Sequence, residues 1–331
     1  MWLKFITIFI IVLLIFTNGI TDAPNAIATL VGAKVMNFRK AAFISAIFNL
    51  IGIIVMSFVN ISVANCISSV VNLYGGVIGI ICLISAMISV IIFALVAMLF
   101  GIPTSETHGL IAGLTGSGIA LYGIRSISFH EWFYVLFGLF FSVCGTLILS
   151  YIISKILKNV LSRAKDKTIS NFQVMGMCAM SFMHGAQDGQ KFIGILILYN
   201  YILKNMKMPE TINPKDNVHI IIFVAIIMFI GVSIGGKKIV QNIGDNMTKL
   251  TKRQALCSDI VTSATLMIAS FNGLPVSTTH VKTVSIIGIG KCEGSIVNKD
   301  SIMQVFKAWL LTFPVCLAIA YLVAKFFKFV L

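Results

Sequence analysis

Apolar positions in this chain come in long unbroken runs. Residues 5–16, 41–59, 77–100, 132–153, 217–235 and 309–324 each approach the roughly 20 residues that a helix needs to cross the hydrocarbon core of a bilayer. With the shorter apolar stretches between them, these runs predict ten or so crossings, about 10–12 membrane segments in all. Alternation of apolar and polar residues between regularly spaced turns, the pattern of a closed barrel, is absent. Helices are then the way the backbone satisfies its hydrogen bonds in lipid. The expected class is an all-α polytopic membrane protein.

Polar residues interrupt the runs at places that repeat. Asn18-Gly19-Ile20-Thr21-Asp22-Ala23-Pro24-Asn25 is echoed 166 positions later by His184-Gly185-Ala186-Gln187-Asp188-Gly189-Gln190-Lys191. Gly101-Ile102-Pro103-Thr104-Ser105-Glu106-Thr107-His108 returns 172 positions later as Gly273-Leu274-Pro275-Val276-Ser277-Thr278-Thr279-His280, with five of eight positions identical. A weaker echo, at an offset of 170, pairs Tyr151–Lys155 with Tyr321–Lys325. Similar offsets in the same order predict two related halves, residues 1–154 and 171–331, joined by a short basic cytoplasmic linker at 155–170. The first half crosses an odd number of times, so the second enters upside down. Inverted-topology repeats bring corresponding segments together near the bilayer midplane, where carriers hold cargo.

Composition agrees. The 331 residues are 58% hydrophobic and 11% charged, against roughly 25% charged in soluble domains. The net charge of +14 would suggest nucleic acid if it lay on one soluble face, but the basic residues sit in short loops between apolar runs. Lys34, Arg39 and Lys40, then Lys155, Lys158, Arg163, Lys165 and Lys167, then Lys237, Lys238, Lys249, Lys252 and Arg253 mark the cytoplasmic side. Both termini then fall outside. Seven scattered cysteines, without C-x-x-C spacing, read as small core residues. Lys4, the following apolar run and Ala26-Ile27-Ala28 imitate a secretory signal, but cleavage there would delete one partner of the first repeated pair.

The repeated segments hold the chemistry. An acid such as Asp22 or Asp188 within an apolar stretch costs at least ~2.5 kcal/mol on insertion scales and needs a partner or water. Gly19 and Pro24, and Gly185 and Gly189, predict a broken helix at each site. Freed carbonyls beside a carboxylate suit sodium or a proton, whereas a half-helix N-terminus suits an anion. Lys191 shares a helical face with Asp188 and is open to two readings, a structural ion pair or a contact to cargo. The G-x-P segments break a helix and follow it with hydroxyls, as at the tip of a re-entrant hairpin. Ser105, Thr107, Ser277 and Thr279 beside free N–H groups form a donor-rich cradle for a tetrahedral oxyanion. Simple capping is the plainer reading. His108 and His280 are read equally as donors or as packed core residues, whereas His184, which adds a polar group to the Asp188 turn, reads more readily as a satisfied core residue. Lys282 is expected to reach the membrane interface, and Asp259 stands as an isolated acid.

N-G-I-T-D-A-P-N-A and H-G-A-Q-D-G-Q-K, each followed by P-x-S-x-T-H, closely resemble the inorganic phosphate transporter (PiT) family, and the Gly-Gln-Lys ending resembles its bacterial low-affinity branch. Trp309–Pro314 looks like that family's closing helix. The resemblance implies an inverted-repeat carrier with broken helices and re-entrant hairpins that moves phosphate by symport with sodium or protons, without a cofactor, from a plasma or inner membrane. It implies a phosphate site drawn from Ser105, Thr107, Ser277, Thr278, Thr279, Gln187 and Lys191. It implies cation coupling at Asp22, Asn25, Asp188, Asn18 and Thr21, with Asp22 and Asp188 as sodium ligands if sodium is the ion. Thr21 and Gln187 replace the asparagine that the family usually places before each aspartate. Glu106 stands where a small hydroxyl is usual, an awkward charge beside an anion unless it is protonated or faces away.

Partners expected are phosphate, the coupling cation and lipid, with no nucleic acid; a homo-oligomer is compatible. Sulfate is the nearest rival cargo. A membrane-embedded lipid-phosphate hydrolase built on His184, Asp188, His108 and His280 lacks a nucleophile or metal motif and leaves the duplication unexplained. A passive channel leaves the paired acids unexplained.

Overall fold

A computed structural model describes residues 2–73, 75–209, 211–243, 250–295 and 298–330. Lys249 of the third basic loop lies outside the described residues. The chain is helical: α1 Trp2–Thr21, α2 Pro24–Gly32, α3 Phe38–Val59, α4 Ser62–Ser69, α5 Val77–Leu99, α6 Glu106–Tyr122, α7 Phe129–Val160, α8 Asp166–Leu203, α9 Val218–Ile234, α10 Lys237–Gln241, α11 Lys252–Phe271, α12 Thr278–Cys292 and α13 Lys299–Val330. Seven spans among the described residues are long and apolar enough to cross a membrane. They comprise α1 with α2, α3, α5, α7, α9 with the short turn before it, α11 and α13. The other membrane-depth elements are α8, which is 38 residues long but carries charge at its centre, and the buried arms α6 and α12. The expected 155–170 linker is mostly helix, because α7 runs on to Val160 and α8 starts at Asp166, leaving only residues 161–165 between them.

Local signals set the ends. Asn37, Ser128 and Thr251 cap α3, α7 and α11 by accepting hydrogen bonds from first-turn N–H groups, and Thr251 forms a full capping box with Gln254. Gly101 and Gly273 end the turns after α5 and α11 at φ 67° and 66°, a conformation that a side chain disfavours. Extended residues then lead each chain back inward to Ser105 and Ser277, which cap α6 and α12.

The two hairpin tips lie at opposite ends of the molecule. Phe38 at the start of α3 lies against Gly235 at the end of α9, so these two packed helices run antiparallel. The tip at Gly101 docks on α10, just beyond α9, where Asn242 Nδ2 donates to the Gly101 carbonyl at 2.8 Å. The tip at Gly273 docks on Ser62 at the start of α4, just beyond α3, and Asn60 Nδ2 donates to the Phe271 carbonyl at 3.1 Å. The halves also interlock. Helix α13 of the second half covers the α5–α6 hairpin, and α7 of the first half covers α11–α12; α8 packs along α3 as α1 packs along α9.

The two aspartate segments differ, against expectation. At Asp22 the helix is interrupted, because Pro24 brings no N–H and its ring crowds the preceding turn. At Asp188 the helix is continuous, since the position matching Pro24 is Gln190. Gly185 and Gly189 serve close packing instead. A Cβ on Gly185 would stand 2.1 Å from the Asn49 carbonyl oxygen, and one on Gly189 would stand 2.5 Å from the Ile53 side chain. In lipid, where apolar burial does not drive helices together, such backbone contact is a main source of association. Gly185→Ala is therefore expected to push α3 from α8 and destabilise the fold by about 1–3 kcal/mol, read as a lower melting temperature in detergent; an unchanged melting temperature would show that the contact yields freely.

Candidate functional site

The interruption after α1, the middle of α8 and the starts of α6 and α12 meet in the interior. Asp22 and Asp188 are both buried there and are linked through one amide, since Asn18 Nδ2 donates to Asp188 Oδ2 at 3.1 Å and lies 3.5 Å from Asp22 Oδ2. His184 Nε2 is 3.5 Å from Asp188 Oδ2, and Asn49 from α3 holds the other ring nitrogen at 2.7 Å. One ligand atom each from Asp22, His184 and Asp188 lie within 4.8 Å of one another, a spacing that can hold a small cation.

Each acid also reaches across to the opposite hairpin. Asn25 Nδ2 donates to Asp22 Oδ1 at 2.7 Å and to Thr279 Oγ1 at 2.7 Å, and the Thr279 hydroxyl donates to Asp22. In the second half, Lys191 Nζ lies 2.5 Å from Asp188 Oδ1 and also donates to Thr107. Asn25 and Lys191 stand at matching positions of the repeat, as do Thr107 and Thr279. The first half's acid therefore grips the second half's hairpin directly, and the second half's acid reaches the first half's hairpin through Lys191. Thr107 Oγ1 also donates to the Val276 carbonyl at 3.2 Å, which ties the two hairpins to each other.

Ser105 and Ser277 are buried, and their hydroxyls accept from the His108 and His280 N–H groups at 3.3 and 3.2 Å. They cap the helices and orient the first-turn donors toward the centre. The His108 and His280 rings are in tilted contact, with centroids 4.7 Å apart and planes at 57°, and are flanked by Phe313 at 4.9 Å and Trp309 at 3.7 Å. None of their four ring nitrogens finds a hydrogen-bond partner among the described residues. Glu106 faces inward: it accepts from Thr21 and borders a narrow gap with Asn18 and Lys191, and its Oε2 is unpartnered among the described residues. The matching residue, Thr278, is likewise buried with a free hydroxyl. Gln187 lies apart from this gap. Its amide donates to the Leu274 carbonyl at 2.7 Å and accepts from Ser270 at 2.8 Å, fastening α8 to the second hairpin.

Two expectations change. Lys282 does not reach an interface: it is fully buried and paired with Asp259, and both contact Thr29. Asp259 is accordingly not isolated. Helix α12 brings Lys282 one turn beyond Thr279, and α2 brings Thr29 one turn beyond Asn25, so this pair adjoins the central cluster. Asn49 and Thr29 are hydrogen-bonded neighbours of the candidate residues that the sequence did not single out. Asn49 had a signal, an amide in the middle of an apolar run of membrane length; Thr29 had only its helical spacing from Asn25.

Comparison with known proteins follows the same halves. The PHO4 phosphate transporter family matches residues 18–170 and again residues 162–320. A Bacillus subtilis protein carrying the name low-affinity inorganic phosphate transporter is 28% identical over 93% of both chains. A Rhizobium meliloti protein of the same name is 30% identical over 90% of this chain and 89% of its own. A solved structure titled the sodium-dependent phosphate transporter superposes with a TM-score of 0.83 over the full length of both chains at 22% identity, and so shares the fold. With its family match across both halves and its all-helical membrane architecture, this chain is a membrane protein of the phosphate transporter family.

Proposed function

We propose that the protein carries inorganic phosphate across the plasma membrane by symport with a small monovalent cation, through alternating access around the central cluster. One observation carries this reading. Two capped helix N-termini entering from opposite ends of the molecule meet beside two buried aspartates, in a single polar cluster. Helix N-termini favour an anion, and buried carboxylates favour a cation. Their contact makes the binding of each assist the other. The relatives' names point to phosphate, and the fold neighbour's title names sodium.

In this scheme the N–H groups at the starts of α6 and α12, with Thr107, Thr278 and Thr279, surround phosphate, and Ser105 and Ser277 hold those N–H groups in place. The cation sits at Asp22, with Asn18, Asp188 and His184 within reach. The threonine hydroxyls that bond across the halves, Thr279 to Asp22 and Thr107 to Lys191, are the groups that exchange these partners for phosphate as the halves move. Residues 1–154 and 171–331 act as the two inverted units, with the basic loops in the cytoplasm and both termini outside. Sulfate remains the rival cargo on geometry alone, because both anions are tetrahedral.

Proteoliposomes with sodium and proton gradients imposed separately should concentrate phosphate against its own gradient under one of them, and sulfate less. Equilibration without concentration would mean a passive pore. Asp22→Asn keeps the shape but not the charge, and cation-driven uptake should fall at least ~100-fold, about 2.7 kcal/mol, while the protein remains folded in the membrane; near-normal uptake would end the coupling role. Ser277→Ala should raise the phosphate half-saturation about tenfold, the ~1.4 kcal/mol expected of a lost cap and misaligned donors, with little change for the cation. The opposite pattern would move that hairpin to the cation site.

A further inference from the structure

We propose that Lys191 is a built-in cation: its ammonium does at Asp188 what a mobile cation does at Asp22, so the second half of the chamber loads no cation of its own. This inference rests on the symport reading above.

Three buried triads share one plan, an aspartate, a nitrogen donor and a threonine hydroxyl. They are Asp22–Asn25–Thr279, Asp188–Lys191–Thr107 and Asp259–Lys282–Thr29. The first two correspond position for position between the repeats. In each, the nitrogen donor lies three residues after the acid and bonds both that acid and the threonine of the opposite hairpin. The geometry is shared, but the charge is not. An amide and an ammonium can satisfy the same two acceptors, yet only the ammonium cancels a carboxylate. Asp22 is held by the dipoles of Asn18, Asn25 and Thr279, and dipoles leave most of the cost of a buried charge unmet. Asp188 has a full charge 2.5 Å away. The Nζ atom sits on Asp188 Oδ1 and Thr107, the counterparts of the two groups that the uncharged Asn25 bridges in the first half.

The surroundings divide in the same way. Glu106, the other acid of the chamber, accepts from Thr21, beside Asp22, and its second oxygen has no partner among the described residues. Glu106 thus bonds on the Asp22 side while it also borders the gap with Lys191, and neither Glu106 nor Asp22 has a lysine at ion-pair distance among the described residues. The third triad is the same device used once more. Asp259 and Lys282 cancel each other, and their first-half counterparts, 172 positions earlier, are the apolar Met87 and Leu110. A pair with no counterpart brings no net charge into the membrane. The chamber thus holds one lysine against Asp22, Glu106 and Asp188 among the described residues, and the charge asymmetry between matched positions lies in Asn25 against Lys191 and in Glu106 against Thr278.

The test is the number of elementary charges moved per phosphate, from phosphate-evoked charge and radiolabelled phosphate uptake measured in parallel in proteoliposomes at one fixed pH. Lys191→Asn copies the first-half residue into the second and is expected to raise the ratio by about one charge, and Asn25→Lys, the reverse copy, to lower it by about one. Purified Lys191→Asn protein is also expected to bind one more 22Na+ than wild type at equilibrium, a readout independent of transport. Either substitution recovered in folded form decides the matter. An unchanged ratio, with a phosphate half-saturation raised tenfold or more in Lys191→Asn, would make the ammonium a ligand of phosphate and overturn the inference. A wild-type protein whose phosphate uptake ignores every cation gradient would instead overturn the symport reading.

Discussion

A carboxylate inside a membrane protein needs either a counter-charge or a way to lose its own charge, and the interior of this molecule is organised around that requirement. Four buried acids among the described residues, Asp22, Glu106, Asp188 and Asp259, stand among the helices. Two have lysines at contact distance, and two have only hydroxyl and amide dipoles. The unequal treatment separates structure from work. A paired acid is electrically complete and can stay closed, whereas an unpaired one is stable only with a borrowed cation or proton. Coupling a cation to an anion then requires no special device beyond proximity, because an anion at the hairpin N-termini raises the affinity for positive charge a few ångströms away, and the reverse holds equally.

The same contacts tie that chemistry to movement. Each acid segment bonds the hairpin of the opposite half, through Thr279 for Asp22 and Thr107 for Asp188. The two hairpins touch through Thr107 and the Val276 carbonyl. Behind them the packing is close and apolar, with α8 against α3 at Gly185 and α13 around α6 at Gly116, where a Cβ would stand 2.2 Å from the Leu317 carbonyl oxygen. Rigid outer packing around an inner set of exchangeable hydrogen bonds is the arrangement that the proposed rocking of two halves about a fixed site requires.

The His108 and His280 rings, in tilted contact, sit where the two hairpins meet, between Phe313 and Trp309 of α13. Their unpartnered nitrogens among the described residues and aromatic neighbours give them the character of a packed hinge plug rather than of a ligand pair. The run Trp309–Pro314, noted in the sequence as a closing helix, owes its place to these rings.

Much could be read from the chain alone. Membrane class, helical content, the twofold duplication and its inversion follow from runs of apolar residues, repeat offsets and the distribution of lysine and arginine, which are one-dimensional quantities. The acids, the serine caps and the hydroxyl-rich hairpins were legible because a polar residue in a lipid-length run is costly and a Gly-x-Pro break has local consequences. Partnership was not legible. That Gln187 fastens a hairpin, that Lys282 turns inward to Asp259 rather than outward, that Gly185 packs instead of breaking α8, and that Asn49 steadies His184 all depend on which helix lies alongside. Such neighbours are separated by scores of residues in the chain, and the choice among them is made by packing in three dimensions, for which spacing along the sequence carries no record.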